Sequence, residues 1–290
     1  PRLGITTTFV DPSNPENFAE AVQENTRAFF AESLGNPKLD VLDLSEISNR
    51  AKAAKVPFIV DNTVATPALL RPIEHGADIV IHSLTKYING NGTALGGVII
   101  DAGKFDWSNG KFPEFTEPSA GYHGLVYHDV LAEASFIAKA RIEGLRDLGA
   151  ALSPFNAFQI LQGLETLDVR MKRHSENALS LSKWLESKEE VTWVNYPGLK
   201  TSKYKSLSDK YLPNGQSGIV TFGVKGGYES AKTVADKTQI FSLLANIGDS
   251  KSLIIHPAST THQQLNDEQQ ETTGVTKDLI RLSVGVGRHR

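Results

Sequence analysis

The segment 79–86, with the sequence IVIHSLTK, constrains the fold of this chain more than any other stretch. Its β-branched apolar residues predict a buried strand, and two hydroxyls and a lysine follow directly. A similar segment upstream, 58–63 (FIVDNT), is apolar and ends on Asp61. Strands joined by a long crossover pair in parallel, and ligands bind beyond the carboxyl ends of such strands. We therefore expect Asp61 and Lys86 at one edge of a parallel sheet.

A carboxylate and a lysine at one sheet edge meet the chemical needs of pyridoxal phosphate (PLP). A lysine amine forms a Schiff base with the cofactor aldehyde, and a carboxylate keeps the pyridine nitrogen protonated. At about 4 Å and an effective dielectric constant near 20, that charge pair is worth roughly 4 kcal/mol. The hydroxyls of Ser83 and Thr85 could donate hydrogen bonds to the phosphate. From the residues alone, a surface ion pair between Asp61 and Lys86 explains the pattern equally well.

The residues around these two positions resemble the signature of the Cys/Met-metabolism family of PLP-dependent enzymes of fold type I. The resemblance is strongest at 60–63 (VDNT) and 82–87 (HSLTKY). It extends over nearly the whole chain, with further similar stretches at Gly35-Asn36-Pro37, 153–158 (SPFNAF), 256–259 (HPAS) and 281–285 (RLSVG). It implies an α/β fold in which residues 1–150 form a large PLP-binding domain with a mostly parallel sheet. Residues 151–290 would form a smaller α+β C-terminal domain.

The resemblance also implies roles for individual residues. Lys86 would be the catalytic lysine, which binds the cofactor covalently and then moves the Cα and Cβ protons of the substrate. The cofactor-binding residues would be Asp61, Ser83, Thr85, Lys86 and Asn36. Arg281 would bind the substrate α-carboxylate, for which a guanidinium fork is well suited, and Asn246 and Asn36 would assist it. Without the resemblance, an exposed strand residue would be the preferred interpretation of Arg281, and Asn246 could equally be a loop amide.

The implied reaction is a γ-replacement. O-acetyl-L-homoserine would lose acetate and gain sulfide or methanethiol, giving L-homocysteine or methionine. Two stretches, 115–118 (FTEP) and 121–125 (GYHGL), resemble an insertion of the sulfhydrylase branch of the family. Cystathionine γ-synthase and methionine or cystathionine γ-lyase remain alternatives, as does an inactive fragment with a structural role. The sequence does not determine the sulfur donor, or whether the ester is acetyl or succinyl.

Composition excludes several other classes of function. Apolar residues make up 40% of the chain, enough for sizeable cores, and the net charge of −3 gives no basis for binding nucleic acid. The chain has no apolar run of about 18 residues, so no membrane span is expected. Cysteine is absent, and His123 and His128 lack further ligands at metal-binding spacing, so no metal is expected. We predict a cytoplasmic enzyme whose partners are an amino-acid substrate and sulfide.

The resemblance further implies a homo-oligomer, a dimer of dimers with active sites shared between paired subunits. Members of the family carry a glycine-rich phosphate-binding turn, a ring-stacking tyrosine and a Tyr-x-Arg arm ahead of the point where this sequence begins, and a terminal helix after its end. We therefore expect the sequence to be a fragment of a longer chain. Pro1-Arg2-Leu3-Gly4 has no signal-peptide character.

Local patterns predict the remaining elements. Residues 5–10 are β-branched and predict a strand, whereas Asp43 and Ser153-Pro154 have the character of helix starts. The glycine-rich segment 90–97 approaches a dinucleotide-binding fingerprint. A strand rather than a helix is predicted after it, so we exclude a nicotinamide site. Residues 105–128 have no regular period and predict a long loop that is either functional or disordered.

Overall fold

A computed structural model describes residues 3–287, which form two β-sheets flanked by helices. The first two residues of Pro1-Arg2-Leu3-Gly4, the tetrapeptide considered above for signal-peptide character, lie outside this range. The strands are β1 (Phe29–Glu32), β2 (Phe58–Asp61), β3 (Ile79–Ser83), β4 (Gly97–Asp101), β5 (Val191–Asn195), β6 (Ile219–Val224), β7 (Ser242–Leu243), β8 (Leu253–Ile255) and β9 (Leu279–Ser283). In the described part of the chain, no helix is long and apolar enough to cross a bilayer.

Eleven α-helices lie among the described residues. They are α1 (Glu16–Glu20), α2 (Leu44–Ala53), α3 (Thr66–Leu69), α4 (Pro113–Thr116), α5 (Tyr127–Leu131), α6 (Ser135–Lys139), α7 (Pro154–Leu164), α8 (Leu167–Glu186), α9 (Lys205–Tyr211), α10 (Gly227–Lys237) and α11 (Asp267–Thr272). Short 3₁₀ turns occur at Pro72–His75, Ala120–Tyr122, Ala132–Ala134 and Pro257–Ser259, and a π-helical segment at Ala140–Asp147.

The first sheet has the order β1-β2-β3-β4. The strands β1, β2 and β3 are parallel, and β4 runs antiparallel to β3. In this register, Asp61 lies between Glu32 of β1 and Ile81 of β3. The sheet is therefore mostly parallel, and the predicted α/β class is confirmed.

Helix α2 shows why the predicted helix starts are correct. The Asp43 side chain accepts a hydrogen bond from the Glu46 N–H at 3.5 Å, which caps the first turn. Leu44, Ile47 and Ala51 are buried, as a helical period requires for a face that packs on a sheet. Ser153 caps α7 in the same way through the N–H of Asn156.

The second sheet has the order β5-β6-β9-β8-β7 and is antiparallel except for the β7–β8 pair. All residues of β6 and β9 are buried, so these two central strands form the core on which α8 and α10 pack. Ile160 of α7 and Met171 of α8 instead pack in the core of the first sheet. The division of the chain after residue 150 stays a prediction.

The strand predicted at residues 5–10 is wrong. This segment has no regular secondary structure, and Phe9 exposes 92% of its surface. The physical reason is that a strand needs a hydrogen-bonded neighbour, and none of the described strands pairs with it.

The loop predicted at residues 105–128 is packed rather than disordered. It contains α4 and buries a cluster of aromatic side chains, Trp107, Phe112, Phe115 and Tyr127. The rings of Trp107 and Phe115 lie 4.4 Å apart between centroids. Aromatic packing of this kind needs no helical or strand period, which is why the sequence pattern did not predict it.

Candidate active site

The carboxyl edge of the first sheet carries both Asp61 and Lys86. Strand β2 ends at Asp61 and β3 ends at Ser83, and Lys86 lies in the turn that follows β3. That turn is fixed by two hydrogen bonds, from the Lys86 N–H to the Ser83 carbonyl at 3.3 Å and from the Gly90 N–H to the Lys86 carbonyl at 2.8 Å. Because β2 and β3 are adjacent parallel strands, Asp61 and Lys86 are both placed at this edge.

The Lys86 amine contacts a loop of the second sheet. Its Nζ donates a hydrogen bond to the Asn246 side-chain oxygen at 2.7 Å. Burial lowers the pKa of Lys86, and the positive charge of Arg281 lowers it further. A lowered pKa increases the neutral fraction of the amine, which is the form that attacks a carbonyl carbon and accepts protons.

Arg281 lies in the middle of β9 and is 9% exposed. Its Nη1 donates to the Asn36 side-chain oxygen at 3.3 Å, and its Nη2 donates to the Asn246 backbone carbonyl at 3.1 Å. Burial lowers the pKa of Arg281 to about 10, so it remains a cation at neutral pH. Within residues 3–287 its Nε has no hydrogen-bond partner and its charge has no carboxylate partner. Such a guanidinium is suited to binding a carboxylate ligand.

The two predicted phosphate-binding hydroxyls have different environments. The Thr85 hydroxyl accepts a hydrogen bond from the Gly96 N–H at 3.1 Å and donates to the Gly96 carbonyl at 3.4 Å. It therefore fixes the glycine-rich segment 90–97 beside the site. Ser83 is half-buried, and its N–H donates to the Thr63 hydroxyl at 2.8 Å. The Ser83 hydroxyl is the freer donor of the two.

Sequence reasoning missed two polar residues at the strand ends. His82 is buried next to Asp61, and burial lowers its pKa while the charge of Asp61 raises it. Glu32 ends β1 as Asp61 ends β2, and its Oε2 accepts a hydrogen bond from the Asn36 N–H at 3.0 Å. The signal that identified Asp61, a carboxylate after an apolar strand, could also have identified Glu32.

The predicted site residues converge from both sheets. Lys86, Asn246, Arg281 and Asn36 form one continuous hydrogen-bonded cluster. Asp61, Ser83 and Thr85 lie beside it at the edge of the first sheet. No group of three His, Cys, Asp or Glu residues within 3–287 could hold a metal ion.

Comparison with known proteins gives a consistent result. The family model described as "Cys/Met metabolism PLP-dependent enzyme" matches residues 1–289. The chain is 55% identical over 295 residues to the O-acetyl-L-homoserine sulfhydrylase of Leptospira meyeri, covering 99% of this chain and 67% of that protein. It is 50% identical over 289 residues to the homocysteine synthase of Schizosaccharomyces pombe, with coverage of 99% and 67%. The chain thus spans about two thirds of the length of these relatives.

A solved structure is also similar. The crystal structure of a putative O-acetylhomoserine (thiol)-lyase from Campylobacter jejuni matches with a TM-score of 0.92 and 45% sequence identity. The match covers 96% of this chain and 66% of that one, which is described with a pyridoxyl-lysine phosphate residue.

The residues at the sheet edge fit such a cofactor. Lys86 provides a half-buried amine with a lowered pKa, and Asp61 provides a carboxylate at the same edge. Arg281 provides a buried guanidinium whose Nε has no hydrogen-bond partner within the described residues. Amine, carboxylate and guanidinium are the groups that a PLP enzyme needs for cofactor and amino-acid substrate.

Proposed function

We propose that this chain, which belongs to the Cys/Met metabolism family of PLP-dependent enzymes, catalyses γ-replacement on O-acetyl-L-homoserine. Sulfide would replace the acetoxy group to give L-homocysteine and acetate, and methanethiol would give methionine. The names of the relatives in Leptospira and Schizosaccharomyces support this reaction. The structural observation that carries the proposal is the hydrogen-bonded cluster that Lys86, at the carboxyl edge of the first sheet, forms with Asn246 and Arg281 of the second.

Four residues would hold the cofactor together with Lys86, namely Asp61, Ser83, Thr85 and Asn36. Bound PLP supplies an electron sink that stabilises negative charge at the substrate Cα. The Asp61 carboxylate would keep the pyridine nitrogen protonated. The Ser83 hydroxyl, free of a hydrogen bond within the described residues, would donate to the phosphate more readily than that of Thr85, which is bonded to Gly96.

Lys86 would move the protons of the reaction. Its neutral amine, favoured by burial and by the nearby Arg281 charge, would take the proton from the substrate Cα, release it, and only then, as a neutral amine again, take the proton from Cβ. The Asn246 side-chain oxygen accepts a hydrogen bond from Nζ and so orients the nitrogen lone pair. Acetate would leave Cγ with the bonding electrons, and sulfide would add at the same carbon.

Arg281 would bind the substrate α-carboxylate. Asn36 and the Asn246 carbonyl hold two of its nitrogens and so fix the orientation of the guanidinium, while Nε has no partner within the described residues. Because Asn246 contacts both Arg281 and Lys86, a carboxylate bound at Arg281 lies beside the amine that must reach Cα. This shared contact links substrate binding to proton transfer.

We also propose that the protein acts in the cytoplasm as a homo-oligomer, a dimer of dimers. Three exposed apolar side chains of α7 support association, because their spacing of three residues places neighbours on adjacent turns of the helix: Phe155, Phe158 and Leu161. Two alternatives to this function remain. One is cystathionine γ-synthase or methionine or cystathionine γ-lyase, and the other is an inactive fragment with a structural role.

Product analysis of the PLP-loaded protein tests the function. O-acetyl-L-homoserine is supplied with sulfide, methanethiol or L-cysteine in separate reactions, O-succinyl-L-homoserine with sulfide in a fourth, and L-methionine alone in a fifth. We expect homocysteine and acetate from the sulfide reaction, no turnover by Lys86→Ala, and wild-type turnover by Lys104→Ala, which replaces an exposed lysine. If cystathionine forms from L-cysteine faster than homocysteine forms from sulfide, or if methionine alone is cleaved, the protein is a cystathionine γ-synthase or a γ-lyase. If no product forms and no cofactor absorption is visible, the protein is an inactive fragment with a structural role.

A further inference from the structure

Glu32 is a polar residue at the site to which the proposed reaction assigns no role. It ends β1, and in the parallel register it lies directly opposite Asp61 of β2. Its Oε2 accepts a hydrogen bond from the Asn36 N–H at 3.0 Å. The Asn36 side-chain oxygen in turn accepts from Arg281 Nη1 at 3.3 Å. Hydrogen bonds therefore connect Glu32 to the guanidinium through a single residue.

Asn36 lies in the loop between β1 and α2, which joins two strands of the first sheet and also contacts the second sheet. The residues after it contact the second sheet and α11, since Thr221 Oγ1 of β6 donates to the Pro37 carbonyl at 3.5 Å and Lys38 Nζ donates to the Thr272 carbonyl of α11 at 2.9 Å. On the side of the first sheet, the Glu32 carboxyl group holds the Asn36 amide. The position of Asn36 determines one of the two hydrogen bonds that orient Arg281.

The electrostatic surroundings of Glu32 make its charge sensitive to pH. Surrounding protein atoms raise the pKa of its carboxyl group to about 7, the Asn36 N–H opposes this rise, and the negative charges of Asp61 and Asp40 add to it. These two carboxylates are the charged groups that face Glu32 from β2 and from the segment after β1. By accessible surface, however, Glu32 is an exposed residue, so water moderates the rise. The pKa of Glu32 therefore lies above that of an ordinary glutamate.

We propose that Glu32 is a positioning residue for substrate binding. Its carboxyl group holds Asn36, and Asn36 holds the Arg281 guanidinium in the orientation that receives the substrate α-carboxylate. The inference rests on the proposed function, in which Arg281 binds that group. An ionised carboxylate accepts an N–H bond more strongly than a neutral carboxyl group. Amino-acid binding should therefore strengthen as Glu32 loses its proton, across about pH 6 to 8.

Spectral titration of the holoenzyme with L-homoserine, which lacks the acetate leaving group, tests this. The dissociation constant is measured at pH 6 and pH 8 for the wild type, for Glu32→Gln, and for the control Glu20→Gln at an exposed glutamate of α1. The ratio of the variant dissociation constant to the wild-type constant isolates the contribution of Glu32, because the two proteins share all other titrating groups. For Glu32→Gln we expect a ratio near 1 at pH 6 and about 3 to 10 at pH 8. For Glu20→Gln the ratio should be 1 at both.

Steady-state kinetics give a second readout. At pH 8, Glu32→Gln should raise KM for O-acetyl-L-homoserine and leave kcat within about twofold, since neither Lys86 nor Asn246 is changed. A Glu32→Gln ratio that is the same at both pH values, whether 1 or larger, would overturn the inference, because a purely structural role has no pH dependence in this range.

Arg281→Lys separates the failure of this inference from the failure of the proposed function. If Arg281→Lys weakens L-homoserine binding while Glu32→Gln shows no pH-dependent effect, the role of Arg281 stands and that of Glu32 falls. If Arg281→Lys binds L-homoserine as the wild type does, the assignment of Arg281 falls and the role of Glu32 falls with it.

Discussion

Two cations meet at the site, and their pKa values explain how each can act. Burial lowers the pKa of both Lys86 and Arg281, and the Arg281 charge lowers that of Lys86 further. Arg281 still remains charged at neutral pH, whereas Lys86 gains neutral amine. The sequence predicted Asp61 and Lys86 from the strand pattern, but Arg281 and Asn246 only from resemblance. It could not predict that Asn246 contacts Lys86, because those residues approach each other only through tertiary packing.

His174 is a buried histidine that packs against the turn after β3, which contains Lys86 and is called the lysine turn below. Its Nδ1 lies 2.6 Å from the Val284 carbonyl, to which it donates, and its ring packs edge-to-face on Tyr87. Burial lowers the pKa of His174 to about 4 from an ordinary value of 6.5, against the opposing effect of the Val284 carbonyl. Between these pH values the unfolded chain binds a proton that the folded chain does not. Stability should therefore fall as the pH decreases from 6.5 to 4, by about 3 kcal/mol from this residue.

Urea unfolding at pH 6.5 and pH 4.5 measures this effect. His174→Asn keeps an N–H near the Val284 carbonyl but cannot titrate, so it should lose less stability on acidification than the wild type. His123→Asn replaces an exposed histidine and should behave as the wild type does. Equal acid sensitivity of the wild type and His174→Asn would show that His174 is not the titrating group.

At the scale of elements, α7 is held against the turn that carries Lys86. A Cβ atom on Gly163 of α7 would lie 2.2 Å from the Asn89 carbonyl oxygen, so only glycine allows this approach. Arg170 of α8 connects the same turn to α7, because its guanidinium donates to the carbonyls of Tyr87 and Gly163, each at 2.6 Å. Helix packing thus supports the position of the lysine turn.

Gly163→Ala tests this support. Alanine favours a helix by about 1 kcal/mol over glycine, but the collision with a backbone oxygen should cost more, with a net loss of about 1 to 3 kcal/mol. The control is Gly144→Ala, in the helical segment Ala140–Asp147, where a Cβ meets nothing within 4 Å. Thermal unfolding should show a lower Tm for Gly163→Ala only. A Tm equal to that of the control would contradict the close packing.

Predictions of elements succeeded where local chemistry determines the structure. The caps at Asp43 and Ser153 are correct because a side-chain oxygen satisfies an N–H within the same turn. The strand predicted at residues 5–10 is wrong because strand formation depends on a distant partner. The packing of residues 105–128 was missed because the Trp107 cluster has no sequence period.

At the scale of the whole molecule, the site requires both sheets. The lysine turn follows β3 of the first sheet, Arg281 belongs to β9 of the second, and the loop that holds Asn246 joins them. The parallel order of the first three strands could be predicted from the crossovers between them. The docking of one sheet on the other could not, because it depends on buried surfaces that no short segment encodes.

The proposed function requires that PLP be bound covalently at Lys86. Borohydride reduction of the holoenzyme fixes that bond, and mass spectrometry of the digested protein then locates the label. We predict a pyridoxyl phosphate adduct on the peptide that contains Lys86, and neither adduct nor visible cofactor absorption in Lys86→Ala. An adduct on a different lysine of the wild type, or visible absorption retained by Lys86→Ala, would contradict the claim.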